Sequence, residues 1–370
     1  PRPDLNLLRN LGFTGSSSDL LRRALDEAPE ILSAAISCSA MWTANAATVT
    51  PCCDNRLGVN CLTVANLNSS LHRSIESQTT IDDLRMTLPP SFQILHPLAG
   101  GTAMRDEGAA NHMRLASPAG PGIHVWVYGD GEPRPKRFWP RQSLSACQSI
   151  ARRHGLDASR VVYLKQHPQA IDAGAFHNDV VAMSDHDLLI HHELAYDTNS
   201  DSLQQVEDRF QQCTGRSLNR IVVPQSQFSI EDAIGTYLFN SQIISRDHGD
   251  ELERILLCPR QVELHGPALQ LVRQWQQSRL FSKVHYVDLD QSMDAGGGPA
   301  CLRLRVPVQA QELELWSPHR RWSESIDAEL REAIRTTYPT RLTLQDLGRE
   351  EFVQQAVQGA NRISQILAVR

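Results

Sequence analysis

The chain has 370 residues, with 36 Lys plus Arg against 42 Asp plus Glu, a formal charge of −6. Such mild acidity excludes a general attraction to nucleic-acid backbones or anionic lipid and leaves only a local basic pocket open. Ordinary Gly and Pro usage (21 and 20 residues) excludes collagen-like and low-complexity classes. No apolar run approaches the roughly 18 residues that a membrane span needs. The opening Pro1 to Phe13 lacks the charged-then-apolar order of a secretory signal. Eight cysteines are scattered without a Cys-x-x-Cys pair, so a structural zinc site or a thioredoxin-like couple is not expected. A reducing, cytoplasmic setting is the expectation, with no nucleic-acid or membrane partner.

The first helix is expected near Ser18, capped by a serine run with Asp19 in its first turn. Pro29 bends it or separates it from a second helical piece over 30–35. A strand is expected at 62–65, and residues 77–110 mix a short helix with Pro-bearing loops. From 123 the pattern becomes regular: a strand over 123–128, a Gly-Asp-Gly turn, a helix over 142–153 ended by Gly155, and a strand over 160–164. Short strands follow at 180–183 and 188–191, then a helix over 202–213 ended by Gly215. Strands are expected at 219–223, 253–257, 284–289 and 302–306, with a helix over 268–278. The tail from Ser323 reads as helix broken by Pro339. This alternation indicates an α/β protein, for which a doubly wound parallel sheet is the default. No Gly-x-Gly-x-x-Gly follows an early strand, so a dinucleotide site is unsupported. No charged or Pro-rich linker divides the chain, so residues 1–370 are expected to form a single domain.

Three segments could carry chemistry. Asp294-Ala295-Gly296-Gly297-Gly298-Pro299-Ala300-Cys301 joins a flexible glycine run to a thiol, a strong nucleophile once ionised, although a buried structural cysteine fits equally. Phe176-His177-Asn178-Asp179 puts an imidazole and a carboxylate on one face if extended; a surface pair or a satisfied core histidine is the plainer reading. Arg105 to His112 reads as a polar turn. His186 and His191-His192-Glu193 lack the spacing of a metal site. A cysteine, a histidine and an acid from separate segments supply a nucleophile, a proton carrier and an orienting group.

Six blocks resemble one family. They are Met41-Trp42-Thr43-Ala44-Asn45-Ala46-Ala47-Thr48, Leu62 to Asn68, Asp106-Glu107-Gly108-Ala109-Ala110-Asn111-His112, Phe176 to Val180, Thr236-Tyr237-Leu238-Phe239-Asn240-Ser241-Gln242, and Gly296 to Arg305. In this order they resemble N-succinylarginine dihydrolase, of the guanidine-modifying (pentein) superfamily. The resemblance implies a pseudo-fivefold α/β propeller in one catalytic domain, with the first module incomplete. It implies a homodimer that needs no metal or organic cofactor. The reaction it implies turns N-succinyl-L-arginine and two waters into N-succinyl-L-ornithine, two ammonia and carbon dioxide, a step of arginine catabolism. By motif, Cys301 is expected as nucleophile, His177 as general acid and base, and Glu107 as its orienting carboxylate. Asn45, His72, Arg73, Arg141 and Asp179 are expected to bind substrate. Two departures stand out: Ala295 replaces the family's Asn before the triple glycine, and the chain begins after a Gly-rich N-terminal segment. A relative that only binds an arginine-like ligand, or a deiminase that stops at the ureido product, are the alternatives.

Overall fold

The computed structural model describes residues 3–118, 120–197, 201–247 and 252–367. They fall into two compact units: Pro1–Met41, Ser69–Pro90 and Val308–Arg370 form the first, and Trp42–Asn68 with Ser91–Pro307 the second.

The first unit is helical. Ser16 accepts from the Asp19 amide at 3.2 Å and starts the helix Ser17–Glu27. Pro29 does not bend that helix but occupies the first position of a separate one, Pro29–Ala35, where its missing N–H costs nothing. Helices Glu324–Thr337 and Glu350–Leu367 supply the tail. Leu8, Leu20, Leu21, Leu32, Phe352 and Val353 make the core of this unit, each leucine contributing about 2 kcal/mol by burial.

The second unit repeats one module four times. Each has two antiparallel strands, a connection, and a third strand parallel to the second. The first joins β1 (Ala47–Thr50), β2 (Cys61–Val64) and β3 (Gln93–Leu95). The second joins β4 (His112–Ala116), β5 (Gly122–Tyr128) and β6 (Val161–Lys165), with the helix Leu144–Arg153 before β6. The third joins β7 (Ala182–Asp185), β8 (Leu188–His192) and β9 (Asn219–Val223), with the helix Ser202–Thr214. The fourth joins β10 (Gln242–Asp247), β11 (Leu252–Pro259) and β12 (Lys283–Val287), with the helix Gly266–Gln277. Central strands such as β5 and β8 are buried at nearly every position, which is why their sequences run apolar instead of alternating.

This is the repeated α/β module that the resemblance implies, not a doubly wound parallel sheet. A fifth three-stranded sheet is absent among the described residues. The first sheet holds all three strands. The strand expected at 302–306 is not formed. Its alternating Leu-Arg-Leu-Arg pattern has the right period but no neighbouring strand to pair with among the described residues, and Arg305 bonds the Asp185 carboxylate and the Ile243 carbonyl instead.

Two buried polar clusters tie modules together. Asp54, with a fully buried side chain, accepts from Arg114 Nε at 2.5 Å, the Gly122 amide at 2.8 Å and His124 Nε2 at 2.9 Å. These donors hold its carboxyl far below the ordinary range despite burial. His154, fully buried, links Thr50 of β1 (2.7 Å) to Thr63 of β2 (2.8 Å) through its two ring nitrogens.

Candidate active site

Each module begins with a short 3-10 turn directly before its first strand. The turns are Thr43–Asn45, Gly108–Asn111, Asn178–Val180 and Leu238–Asn240. They carry the polar residues of the site and are clipped to one another in order. Asn45 Nδ2 donates to the Glu107 carbonyl (2.9 Å), and Asn111 Oδ1 accepts from the Asn178 amide (2.8 Å). Asn240 Nδ2 donates to the Asp179 carbonyl (3.2 Å) and its Oδ1 accepts from the Ala300 amide (3.1 Å). The Ala44 amide donates to the Cys301 carbonyl (3.1 Å), so the series closes on itself. Gly108 makes one approach feasible: it has φ +70°, and a Cβ there would sit 3.1 Å from the Asn45 backbone.

Glu107 and His177 form one pair. Glu107 is fully buried, and His177 Nε2 lies 2.9 Å from Glu107 Oε2. A carboxylate only accepts, so Nε2 carries the proton and Nδ1 is left for proton exchange. Gln142 fixes this corner: its Oε1 accepts from the Glu107 amide (2.7 Å) and its Nε2 donates to Asp106 (3.2 Å). Burial lifts the Asp106 carboxyl to about 6.

Asp179 and Cys301 form the second pair. Cys301 is 4% exposed, with Sγ 3.8 Å from Asp179 Oδ2. The Asp179 residue is half-buried, but its other oxygen, Oδ1, is shut off from solvent with no hydrogen-bond partner among the described residues. Burial raises the Asp179 carboxyl, against the pull of His177 and then Arg303. Burial, then the Asp179 charge, pushes the Cys301 thiol far above its usual range. Both effects favour the protonated thiol over the thiolate.

His177 and Asp179 do share this site, though not as alternate residues of a strand. His177 is extended and Asp179 lies in the following 3-10 turn. Arg141 stacks over Phe176, the neighbour of His177, with its guanidinium carbon 4.3 Å from the ring centre. Glu107, His177, Asp179, Cys301, Asn45 and Arg141 thus all belong to the second unit. His72 and Arg73 lie in the first unit, on the helix Leu71–Ser74, where Arg73 is buried and the His72 carbonyl accepts from Ser39 Oγ (3.0 Å). Ala295 caps the short helix Asp290–Asp294 and is exposed. Roles for Gln142 and Asn240 were not drawn from the residues alone. Asn240 has a signal in the Asn that each turn carries, at 45, 111, 178 and 240, visible only with the modules aligned, and Gln142 lies outside that repeat. His191 and His192 bond the His192 and Phe228 carbonyls. Among the described residues no His, Cys, Asp and Glu side chains cluster as metal ligands do.

The profile of the family described as succinylarginine dihydrolase matches residues 1–370. An N-succinylarginine dihydrolase of Chromohalobacter salexigens is 40% identical over 377 residues, covering 100% of this chain and 83% of that protein. Another, of Shewanella piezotolerans, is 39% identical over 379 residues, covering 99% and 83%. Among solved structures, an adduct of dimethylarginine dimethylaminohydrolase with S-methyl-L-thiocitrulline shares 12% identity, covers 81% of this chain and 95% of its own, and reaches a TM-score of 0.40.

Proposed function

The chain belongs to the succinylarginine dihydrolase family, and we propose that it carries out that family's reaction with Cys301 as nucleophile, His177 as proton carrier and Asp179 as the guanidinium grip. The activity is hydrolysis at the C–N bonds of a linear amidine: N-succinyl-L-arginine and two waters give N-succinyl-L-ornithine, two ammonia and carbon dioxide. The observation that carries the assignment of residues is the Asp179 carboxylate, 3.8 Å from the sulfur with one buried oxygen unpartnered. A planar cation with paired N–H donors satisfies that oxygen and fixes its own central carbon against Sγ.

The same cation cancels the charge that keeps the thiol protonated, so the nucleophile ionises when substrate binds. Thiolate attack on the guanidinium carbon forms the S–C bond as a C=N electron pair moves onto nitrogen. His177 delivers a proton to the departing nitrogen, and ammonia leaves. Water, deprotonated by His177, then attacks the thiouronium carbon and frees the sulfur, leaving a ureido product. A second attack on the ureido carbon expels the ornithine nitrogen and leaves a carbamoyl thioester. Its hydrolysis gives carbon dioxide and the second ammonia. Glu107 keeps the imidazole in the tautomer that exchanges protons through Nδ1. Arg141, Asn45, His72 and Arg73 are proposed as substrate contacts, the arginines toward carboxylates. Arg73→Ala is expected to raise KM more than it lowers kcat.

Counting products tests the reading. Two ammonia per succinylornithine support it; ureido accumulation indicates a deiminase; absence of turnover indicates a binding protein. Cys301→Ser must abolish turnover. Ala295→Asn is expected to lower KM if the family's polar contact is lost here, a difference of about 1–3 kcal/mol. We also propose a cytoplasmic homodimer and a single cooperative domain over 1–370. Sedimentation, cell fractionation and calorimetry check these in turn. Among the described residues no helix is long and apolar enough to cross a membrane.

A further inference from the structure

The block Thr236–Gln242 holds one side chain whose amide faces the nucleophile. Asn240 is fully buried. Its Oδ1 accepts from the Ala300 amide at 3.1 Å and the Cys301 amide at 3.4 Å, and its Nδ2 lies 3.3 Å from Cys301 Sγ. The two ends of an amide are told apart by their partners. The Asp179 carbonyl can only accept, so the NH2 lies on its side and faces the sulfur, while the oxygen faces the Ala300 and Cys301 amides, which also bond the Asn240 and Gly298 carbonyls at 2.8 and 3.1 Å.

The backbone around it is built for this placement. Tyr237, just before the turn, holds a left-handed φ of 54°, a conformation that costs a bulky residue about 1–3 kcal/mol and persists only where its surroundings impose it. Across from it, a Cβ on Gly298 would fall 2.6 Å from Asn240 Oδ1. A glycine there is what lets the loop close onto the amide.

We propose that Asn240 is a further catalytic residue of this reaction, its Nδ2–H donating to the Cys301 sulfur and stabilising the thiolate at each point where it forms. When the thiol gives up its proton, the electron pair stays on Sγ and the N–H···S bond strengthens. When Sγ bonds carbon, that charge disperses and the bond weakens. Hydrolysis of each thio-intermediate returns the pair to sulfur and restores the bond. Asp179 and Asn240 act on the sulfur in opposite senses: the carboxylate opposes ionisation until substrate binds, and the amide favours it throughout.

The inference rests on Cys301 as nucleophile, and the test separates the two. Asn240→Ala removes the donor, Asn240→Asp keeps the shape and replaces the donor with an acceptor, and Gly298→Ala displaces the amide without changing it. The readouts are the pH dependence of iodoacetamide alkylation at Cys301, followed by peptide mass spectrometry, and kcat and KM for N-succinylarginine, with melting curves as the folding control. Expected are an alkylation midpoint raised by about one pH unit or more and a kcat lowered about 10- to 100-fold, with KM within about threefold. If the Asn240 variants fail to fold, Gly298→Ala decides by the same readouts. Unchanged midpoint and kcat in a folded variant overturn the role of Asn240. Turnover by Cys301→Ala would instead overturn the assigned nucleophile.

Discussion

Replacing Asp179 by Asn should make the Cys301 thiol more acidic while removing turnover. The carboxylate lies 3.8 Å from Sγ. Two unit charges at that separation repel by about 4 kcal/mol at an effective dielectric of about 20, equivalent to about three pH units. The substitution keeps the side-chain shape and removes this repulsion, so the alkylation midpoint of Cys301 should fall by up to about three pH units. Iodoacetamide labelling rates at fixed pH below the wild-type midpoint, read on the Cys301 peptide, measure it, rising about tenfold for each pH unit of fall. Turnover should nonetheless drop about 10²- to 10⁴-fold, because the paired charge-assisted bonds to the guanidinium are gone. A more reactive sulfur in a less active enzyme is the combination that ordinary damage to the site does not produce. A midpoint that stays in place or rises refutes the claim that this carboxylate restrains the nucleophile.

Glu107→Gln should lower kcat about 10²- to 10⁴-fold with little change in KM, since it disturbs the histidine tautomer and not the substrate contacts; a change confined to KM contradicts the assignment. Asp54→Asn should destabilise the fold by about 3–5 kcal/mol, because Arg114 is left without its buried partner. Urea unfolding measures this, and a loss under about 1 kcal/mol would show the cluster to be dispensable. His154 is buried neutral, with its charging midpoint lowered from 6.5 to about 3 by burial. Its unfolded form takes up a proton first as pH falls. The folded state therefore loses about 1.4 kcal/mol per pH unit from about 6.5 down to about 3. Asp106, raised to about 6, has the opposite sign: its contribution is lost as pH rises from about 4 to 6. The clean measurement is thus the difference in slope between the wild type and His154→Gln over pH 6–4, and equal slopes would remove His154 from the account.

Strands are legible in the sequence where apolar and β-branched residues cluster, whether buried throughout like β8 or largely half-buried or exposed like β9. Ile123 to Tyr128 announces β5 and 188–191 announces β8 because nearly every position is buried, while 253–257 announces β11 by its Ile255-Leu256-Leu257 run alone. Three of the four first strands of the modules are not legible; β7 is expected, two residues early, at 180–183. β1, β4 and β10 begin one or two residues after a turn that carries site side chains, and their Thr, His, Arg and Gln positions blur the period. Residues 302–306 show the reverse error, a strand pattern without a partner strand. Cys301, His177 and Glu107 were each ambiguous as single segments. The resemblance joined them as one set, and the structure adds the 2.9 Å Glu107–His177 contact and the 3.8 Å Cys301–Asp179 contact.

The closed series of turns has a consequence for biosynthesis. A ribosome working from the N-terminal side releases Asn45 and Glu107 early, His177 and Asp179 midway, and the sulfur last of the set. Until residue 301 emerges, the amide at 240 and the carboxylate at 179 have nothing to act upon, and the nascent chain carries no assembled chemistry. Catalytic competence is thus a late event that reports completion of the whole circuit, so appearance of activity during synthesis or refolding times the docking of its final link.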